Sequence, residues 1–239
     1  MPLPARDTGF VISDLHIFSC VSLYGRHLPM LEEAASRHKV VVLNGDTFDF
    51  KRSRFKNNTE TSQEAVRWLA SLCLRHPATT FYFLIGNHDC NRDFVGELRL
   101  LEKRCVNLHV ADPVLQIGSC LFVHGDVCDL KDGETDLARV RERYSSQGRS
   151  LGSIVFAQLV THLRFNAVEY LRHRKPALCK QVMAYLHATH PEKLASAERI
   201  YFGHTHVPFT DFMFGGIRFS NTGSAIRGLR MNALEFPLP

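Results

Sequence analysis

Short apolar runs recur along the chain, each ending in glycine, asparagine or aspartate: Phe10–Ser13, Val40–Leu43, Thr79–Ile85, Cys120–Val123 and Ile200–Phe202. Continuous apolar runs of this length, without polar alternation, predict strands buried on both faces. Between the first of them the spacing changes to three and four. Leu28–His38 puts Leu31, Ala34 and Ala35 on one helical face, and Thr61–Leu74 does the same with Ala65, Trp68, Leu69 and Leu72 before Pro77 stops it. A third helix is expected over Phe94–Cys105. Shorter strands are expected at Asn107–Val110 and Val114–Ile117 around Pro113, then at Asp211–Met213, Ile217–Ser220 and Met231–Phe236. The pattern is α/β. It breaks after Asp126, where residues 133–197 carry little strand signal. Helical pieces are expected there at Asp136–Tyr144, Ile154–Leu171 and Pro176–His187, with a short one opening at Pro191. We therefore expect one domain over residues 1–239 with a helical insertion at about 133–197.

Composition narrows the class. Apolar residues make up 45% and charged residues 22% of 239, ordinary for a globular domain. No apolar run approaches the ~18 residues of a membrane span, and Met1-Pro-Leu-Pro carries no charged-then-apolar leader. The seven cysteines are odd in number and lack a C-x-x-C pair, so reduced thiols are expected. Together these point to a cytoplasmic enzyme or one peripheral to a membrane. The net charge of +5 favours anionic partners only weakly. Its distribution says more: between Arg139 and Lys180, nine Arg and Lys residues face two acids, Glu142 and Glu169. That excess offers the insertion a contact with diphosphate or with an acidic membrane surface. Lys51, Arg52, Arg54 and Lys56 form a second basic stretch, placed to steer phosphate or simply solvated. Asn57-Asn58-Thr59 matches a glycosylation sequon but reads as a polar loop.

The chemistry sits where the strands stop. The strand ends deliver Asp14-Leu-His16, Gly45-Asp46, Gly86-Asn-His-Asp89, His124-Gly-Asp126 and Gly203-His-Thr-His206. Two residues apart on extended backbone share a face, so Asp14 with His16, and His204 with His206, are expected to point into one pocket. In open α/β sheets, sites form beyond the carboxyl ends of strands. Carboxylate, imidazole and amide oxygen suit a hard-to-borderline divalent metal. One such motif could be chance, but five at the same structural position predict a dinuclear metal site.

This ordered series resembles the calcineurin-like metallophosphoesterase family over nearly the whole chain outside the helical insertion. The resemblance implies a four-layer αββα sandwich with two divalent metals at the sheet termini. It assigns Asp14, His16 and His206 to one metal and Asn87, His124 and His204 to the other, with Asp46 bridging. It sets His88 beside the scissile phosphate, with Asp89 orienting it, and leaves Asp49 and Asp126 to hold loops and histidines. Metals about 3.5–4 Å apart activate water and neutralise phosphoryl charge, so the implied reaction is metal-dependent phosphoester hydrolysis.

The branch is less sharply marked. Gly45-Asp-Thr-Phe-Asp-Phe50 lacks the Asp-Arg-Gly usual in serine/threonine protein phosphatases, and G-N-H-D replaces their G-N-H-E. The Gly-Asp-x-Phe-Asp motif and the insertion between His124 and His204 look like the UDP-2,3-diacylglucosamine pyrophosphohydrolases of lipid A synthesis. In those enzymes such an insertion caps acyl chains and manganese is the usual metal, so two Mn²⁺ ions are expected here, with iron, zinc or magnesium the alternatives. Ile154, Val155, Phe156, Leu159, Val160, Leu163, Phe165 and Val168 can line such a cap, or simply pack the insertion onto the domain. Two departures stand: His88 replaces that branch's arginine, and Asp49 its glutamate. The expected substrate is thus a phosphorylated small molecule or a nucleotide-linked lipid. A non-catalytic scaffold of the same fold is the alternative, disfavoured because every ligand position and His88 are intact. A nuclease is disfavoured because Phe55 alone interrupts the basic stretch from Lys51 to Lys56.

Overall fold

The computed structural model describes residues 8–131, 133–146 and 174–239. Thr8–Ile12 (β1), Val40–Asn44 (β2), Thr80–Leu84 (β3) and Leu108–Ala111 (β4) pair in parallel. Leu234–Pro237 (β10) closes the free edge of β1 antiparallel, giving the order β10-β1-β2-β3-β4. The second sheet has the order β5-β6-β7-β9-β8, from Val114–Ile117 (β5), Cys120–Val123 (β6), Arg199–Phe202 (β7), Phe209–Phe214 (β8) and Ile217–Asn221 (β9). Its central strands β6, β7 and β9 are parallel, and β5 and β8 pair antiparallel at the edges.

The apolar runs are continuous because each central strand serves two cores. Phe10, Ile12, Val41, Leu43, Phe81 and Phe83 face one way, against Leu28–Arg37 (α1), Asn58–Arg75 (α2) and Arg92–Glu102 (α3). Val11, Val42 and Leu84 face the other way and meet Cys120, Phe122, Tyr201 and Phe236 between the sheets. The Phe122 ring lies 5.2 Å from Tyr201 and 4.8 Å from Phe236. On the far side of the second sheet, Leu121, Val123, Ile200 and Phe202 pack against helices from the segment between β6 and β7. Two sheets and three cores make the expected sandwich.

Among its described residues that segment carries helices and no strand: a 3-10 turn over Asp126–Asp129, then Leu137–Ser146 (α4), Lys175–Thr189 (α5) and Pro191–Ala195 (α6). Leu178, Cys179, Val182, Tyr185 and Leu186 of α5 are buried on the second sheet. The expected helix at Ile154–Leu171, with its acyl-cap candidates, falls outside the described residues. All seven cysteines are free thiols.

Of the boundaries that differ from expectation, two have a visible local cause. Helix α2 starts at Asn58, because the Asn57 side chain accepts the Glu60 N–H at 2.8 Å and caps the first turn. The stretch read as a polar loop is a helix start. The last strand is shorter than Met231–Phe236, since Met231 pairs only with Gly223 as an isolated bridge.

Candidate metal centre

All seven candidate ligands sit on loops leaving β1, β2, β3, β6 and β7, at the carboxyl ends of both parallel arrays. The loops are stitched together by main-chain bonds. Asp14 N–H donates to Gly45 O at 3.0 Å, His16 N–H to Asp46 O at 2.9 Å, and Gly203 N–H to His124 O at 2.7 Å. The convergence does not come from extended backbone. Asp14 (φ 52°), His16 (48°), Asp46 (50°), His204 (62°) and His206 (56°) all occupy the left-handed region. Non-glycine residues are strained there, and such strain persists where packing over-determines it, typically at functional sites. Two glycines allow the closeness: a Cβ on Gly86 would collide with the Asp46 carboxylate, and one on Gly203 with Asp14 and Ser13.

Three groups of donor atoms result, each within a 4.8 Å span: Asp14, His16 and His206; Asp46, His124 and His204; and, sharing His16 with the first, His16, Asp49 and His88. His206 Nε2 lies 3.3 Å from Asp14 Oδ1, and His16 Nε2 lies 3.8 Å from the same oxygen. In the second group His124 Nε2 is 3.3 Å from Asp46 Oδ1, and Asn87 Oδ1 lies 3.2 Å from His124 Nε2 and 2.9 Å from His204 Nδ1. Asp46 Oδ2 turns toward the first group, 3.9 Å from His16 Nε2. One carboxylate thus faces both groups. His124 Nδ1 meets Asn44 O at 3.1 Å, which leaves Nε2 for the pocket.

His88 lies beside the centre, its ring edge-on to His16 at 4.8 Å. Its N–H donates to Asp46 Oδ1 at 2.8 Å, and its Nδ1 meets Asp49 Oδ1 at 3.1 Å. Asp49, expected to hold loops and histidines, is the carboxylate that meets His88. It also accepts the Lys51 and Arg52 N–H groups, at 3.0 and 2.8 Å. Asp89, expected to orient His88, instead accepts Thr47 N–H at 2.8 Å and Gly86 N–H at 2.6 Å, tying the β2 and β3 loops together. Being adjacent in sequence, His88 and Asp89 point in different directions. Asp126 is buried and holds α4 through Arg141, with Arg141 Nε 2.7 Å from its Oδ2.

Burial works against every charge here, and neighbours decide the outcome. Burial and the nearby His88 push His16 down to about 4. Burial opposes charge on His124 too, but Asp46 outweighs it and lifts the imidazole to about 10. Burial likewise opposes charge on His88 and on Asp49, yet each favours the charged form of the other: His88 is raised and Asp49 lowered. Asp89, buried beside Asp46, is pushed up to about 8.

Sequence reasoning missed two residues. Asp129 Oδ2 lies 3.0 Å from His204 Nε2 and accepts the Tyr144 hydroxyl at 2.8 Å. Asp129 had a signal, a second carboxylate one 3-10 turn after Asp126 in the same strand-end loop. Tyr144 had none, because only docking of α4 brings it there. In the basic stretch, Lys51 lies over the Tyr144 ring at 4.8 Å, whereas Arg54 stacks on Phe18 and Phe55 away from the centre.

A comparison with curated proteins finds no match. Among solved structures, a dimetal phosphatase from Danio rerio is similar with a TM-score of 0.51 at 13% identity, covering 94% of this chain and 89% of its own. A predicted phosphoesterase from Streptococcus pneumoniae TIGR4 matches with a TM-score of 0.40 at 15% identity, over 96% and 83% of the two chains. The likeness to the Danio rerio protein speaks for the fold alone. The family model described as calcineurin-like phosphoesterase matches residues 10–208, a span that begins at β1 and takes in all five motif-bearing strand ends. The chain therefore belongs to the calcineurin-like phosphoesterase family of hydrolases.

Proposed function

We propose that this phosphoesterase cleaves a phosphodiester or pyrophosphate bond with two divalent metal ions. One observation carries the reading. His16 is wholly buried with neither ring nitrogen hydrogen-bonded, and its Nε2 stands between the carboxylates of Asp14 and Asp46. A buried imidazole without partners is costly, and coordination is what satisfies it. Asp14, His16 and His206 would hold one ion, Asn87, His124 and His204 the other, with Asp46 offering an oxygen to each. The O/N donor set suits Mn²⁺, the expected metal, and also Fe, Zn or Mg²⁺. When bound, the ions supply Lewis-acid activation of water and neutralise phosphoryl charge.

The chain's own residues do the rest. His88 Nδ1 is held by Asp49, so Nε2 is the nitrogen left to meet substrate, and the Asp49 charge favours the protonated ring. His88 then donates a hydrogen bond to the phosphoryl group and gives its proton to the departing oxygen. Asp89 keeps the β2 and β3 loops in register, so that Asp46 and His88 hold their relative place. Within the pyrophosphate class, UDP-2,3-diacylglucosamine or a related nucleotide-linked lipid is the second-tier substrate. The Gly45–Phe50 motif and the basic helical segment between β6 and β7 support it, and His88 in place of arginine counts against it. Action in the cytoplasm, with the basic segment meeting acidic lipid, accompanies that reading. No helix among the described residues is long and apolar enough to cross a membrane.

The test is hydrolysis with added Mn²⁺ of an aryl monoester, a bis-aryl diester and a UDP-linked acylated sugar. Turnover of the diester with the UDP-lipid inert supports a general phosphodiesterase, and strong preference for the UDP-lipid supports the lipid branch. Failure to bind metal or to turn over any of the three would overturn the proposal and favour a scaffold.

A further inference from the structure

Helix α4 of the insertion meets the domain through two matched pairs. Asp126 and Asp129 lie three residues apart on the 3-10 turn, which stacks their side chains on one edge. Arg141 and Tyr144 lie three residues apart on α4, so they too share a face. The pairs meet rung to rung. At the first, the buried Arg141 guanidinium meets Asp126 at 2.7 Å, Ile85 O at 2.7 Å and the Asp112 carboxylate. At the second, Tyr144 Oη donates to Asp129 Oδ2 at 2.8 Å, and that same oxygen lies 3.0 Å from His204 Nε2. His204 turns its other nitrogen, Nδ1, toward Asn87 Oδ1 at 2.9 Å, inside the second donor group. The outer rung therefore ends on a candidate metal ligand.

We infer that Asp129 and Tyr144 are positioning residues for the metal site of Asn87, His124 and His204, and that docking of α4 and loading of that site are coupled. A carboxylate accepting the outer N–H of a ligating histidine fixes its tautomer and ring orientation and makes it a better donor. Tyr144 in turn holds the Asp129 carboxylate, which at 37% exposed would otherwise be free to turn to water. Linkage makes the effect reciprocal: if α4 favours the metal, the metal favours docked α4 to the same extent. The inference rests on the proposed metal assignment and is separable from it by experiment.

The experiment titrates metal-free protein with Co²⁺, followed by visible absorption, with hydrogen exchange of residues 137–146 measured in parallel. Wild type is expected to take up two equivalents. Asp129→Ala should weaken one of the two by about 10–100-fold and leave the other unchanged, the range seen for lost outer-shell partners. Asp129→Asn, which keeps an acceptor oxygen, should recover part of the loss. Tyr144→Phe should move affinity the same way by less, and should abolish the slowing of exchange in α4 that Co²⁺ causes in wild type. Two equivalents at wild-type affinity in both Asp129→Ala and Tyr144→Phe would overturn the inference while leaving the metal assignment standing. Equal weakening of both sites would overturn it as well. A wild type that binds no Co²⁺ would overturn the assignment and the inference together.

Discussion

Replacing Asp49 by Asn tests the proposed chemistry most directly, because it removes one charge and little else. Asn retains an oxygen for the Lys51 and Arg52 N–H groups, so the loop bonds at 3.0 and 2.8 Å can persist. What it removes is the anion 3.1 Å from His88 Nδ1, in a place where Asp49 is wholly buried and water cannot substitute. A hydrogen bond to a charged partner contributes about 1.5–3 kcal/mol. If His88 acts as a proton donor, that much transition-state stabilisation lost corresponds to roughly 10–150-fold in kcat. Asp49 Oδ2 also lies 3.7 Å from His16 Nδ1, so metal content must be measured beside rate. The decisive design is a cycle of D49N, H88N and the double variant under saturating Mn²⁺. Residues that act as a unit are not additive, so the double variant should be no slower than H88N alone. Independent, multiplying losses would refute the dyad, and loss of a metal in D49N would show that Asp49 serves the centre instead.

Three other outcomes follow from the same geometry. Asp46→Asn should lose both metals and most activity, since one carboxylate faces both donor groups; two retained equivalents by elemental analysis would contradict the bridging role. Arg141→Ala leaves the fully buried Asp126 without its ion partner and should cost about 3–5 kcal/mol. At ~2–4 °C per kcal/mol for a domain of this size, thermal unfolding should fall by roughly 6–20 °C, and a shift under 2 °C would refute the pairing. Metal uptake should release protons. His124 is raised to about 10 in the metal-free protein, so near pH 7 it carries a proton that a ligand must give up, and apparent affinity should climb as pH rises toward that value. Calorimetry in buffers of different ionisation enthalpy checks this, and an affinity flat between pH 6 and 9 would contradict it.

The strand runs were legible in the chain, because a strand buried on both faces must be apolar throughout and Phe10-Val-Ile or Cys120-Leu-Phe-Val shows it directly. The candidate ligands could be picked out as well, since donors placed at successive strand ends are a pattern local spacing preserves. The capped start of α2 was not read, because Asn57-Asn58-Thr59 taken alone is polar and loop-like; the Asn57 to Glu60 bond shows only in the folded chain. Tertiary structure alone decided which carboxylate serves which histidine. Asp89 is adjacent to His88 in the chain, but the turn sends its side chain to the Thr47 and Gly86 amides, while Asp49 arrives from another loop. It likewise decided that Tyr144 reaches His204 through Asp129, across sixty residues of chain. Sequence spacing fixes direction only within one element, where backbone periodicity is regular. Between loops, and at left-handed positions such as Asp14 and His204, direction is set by packing that no local pattern encodes.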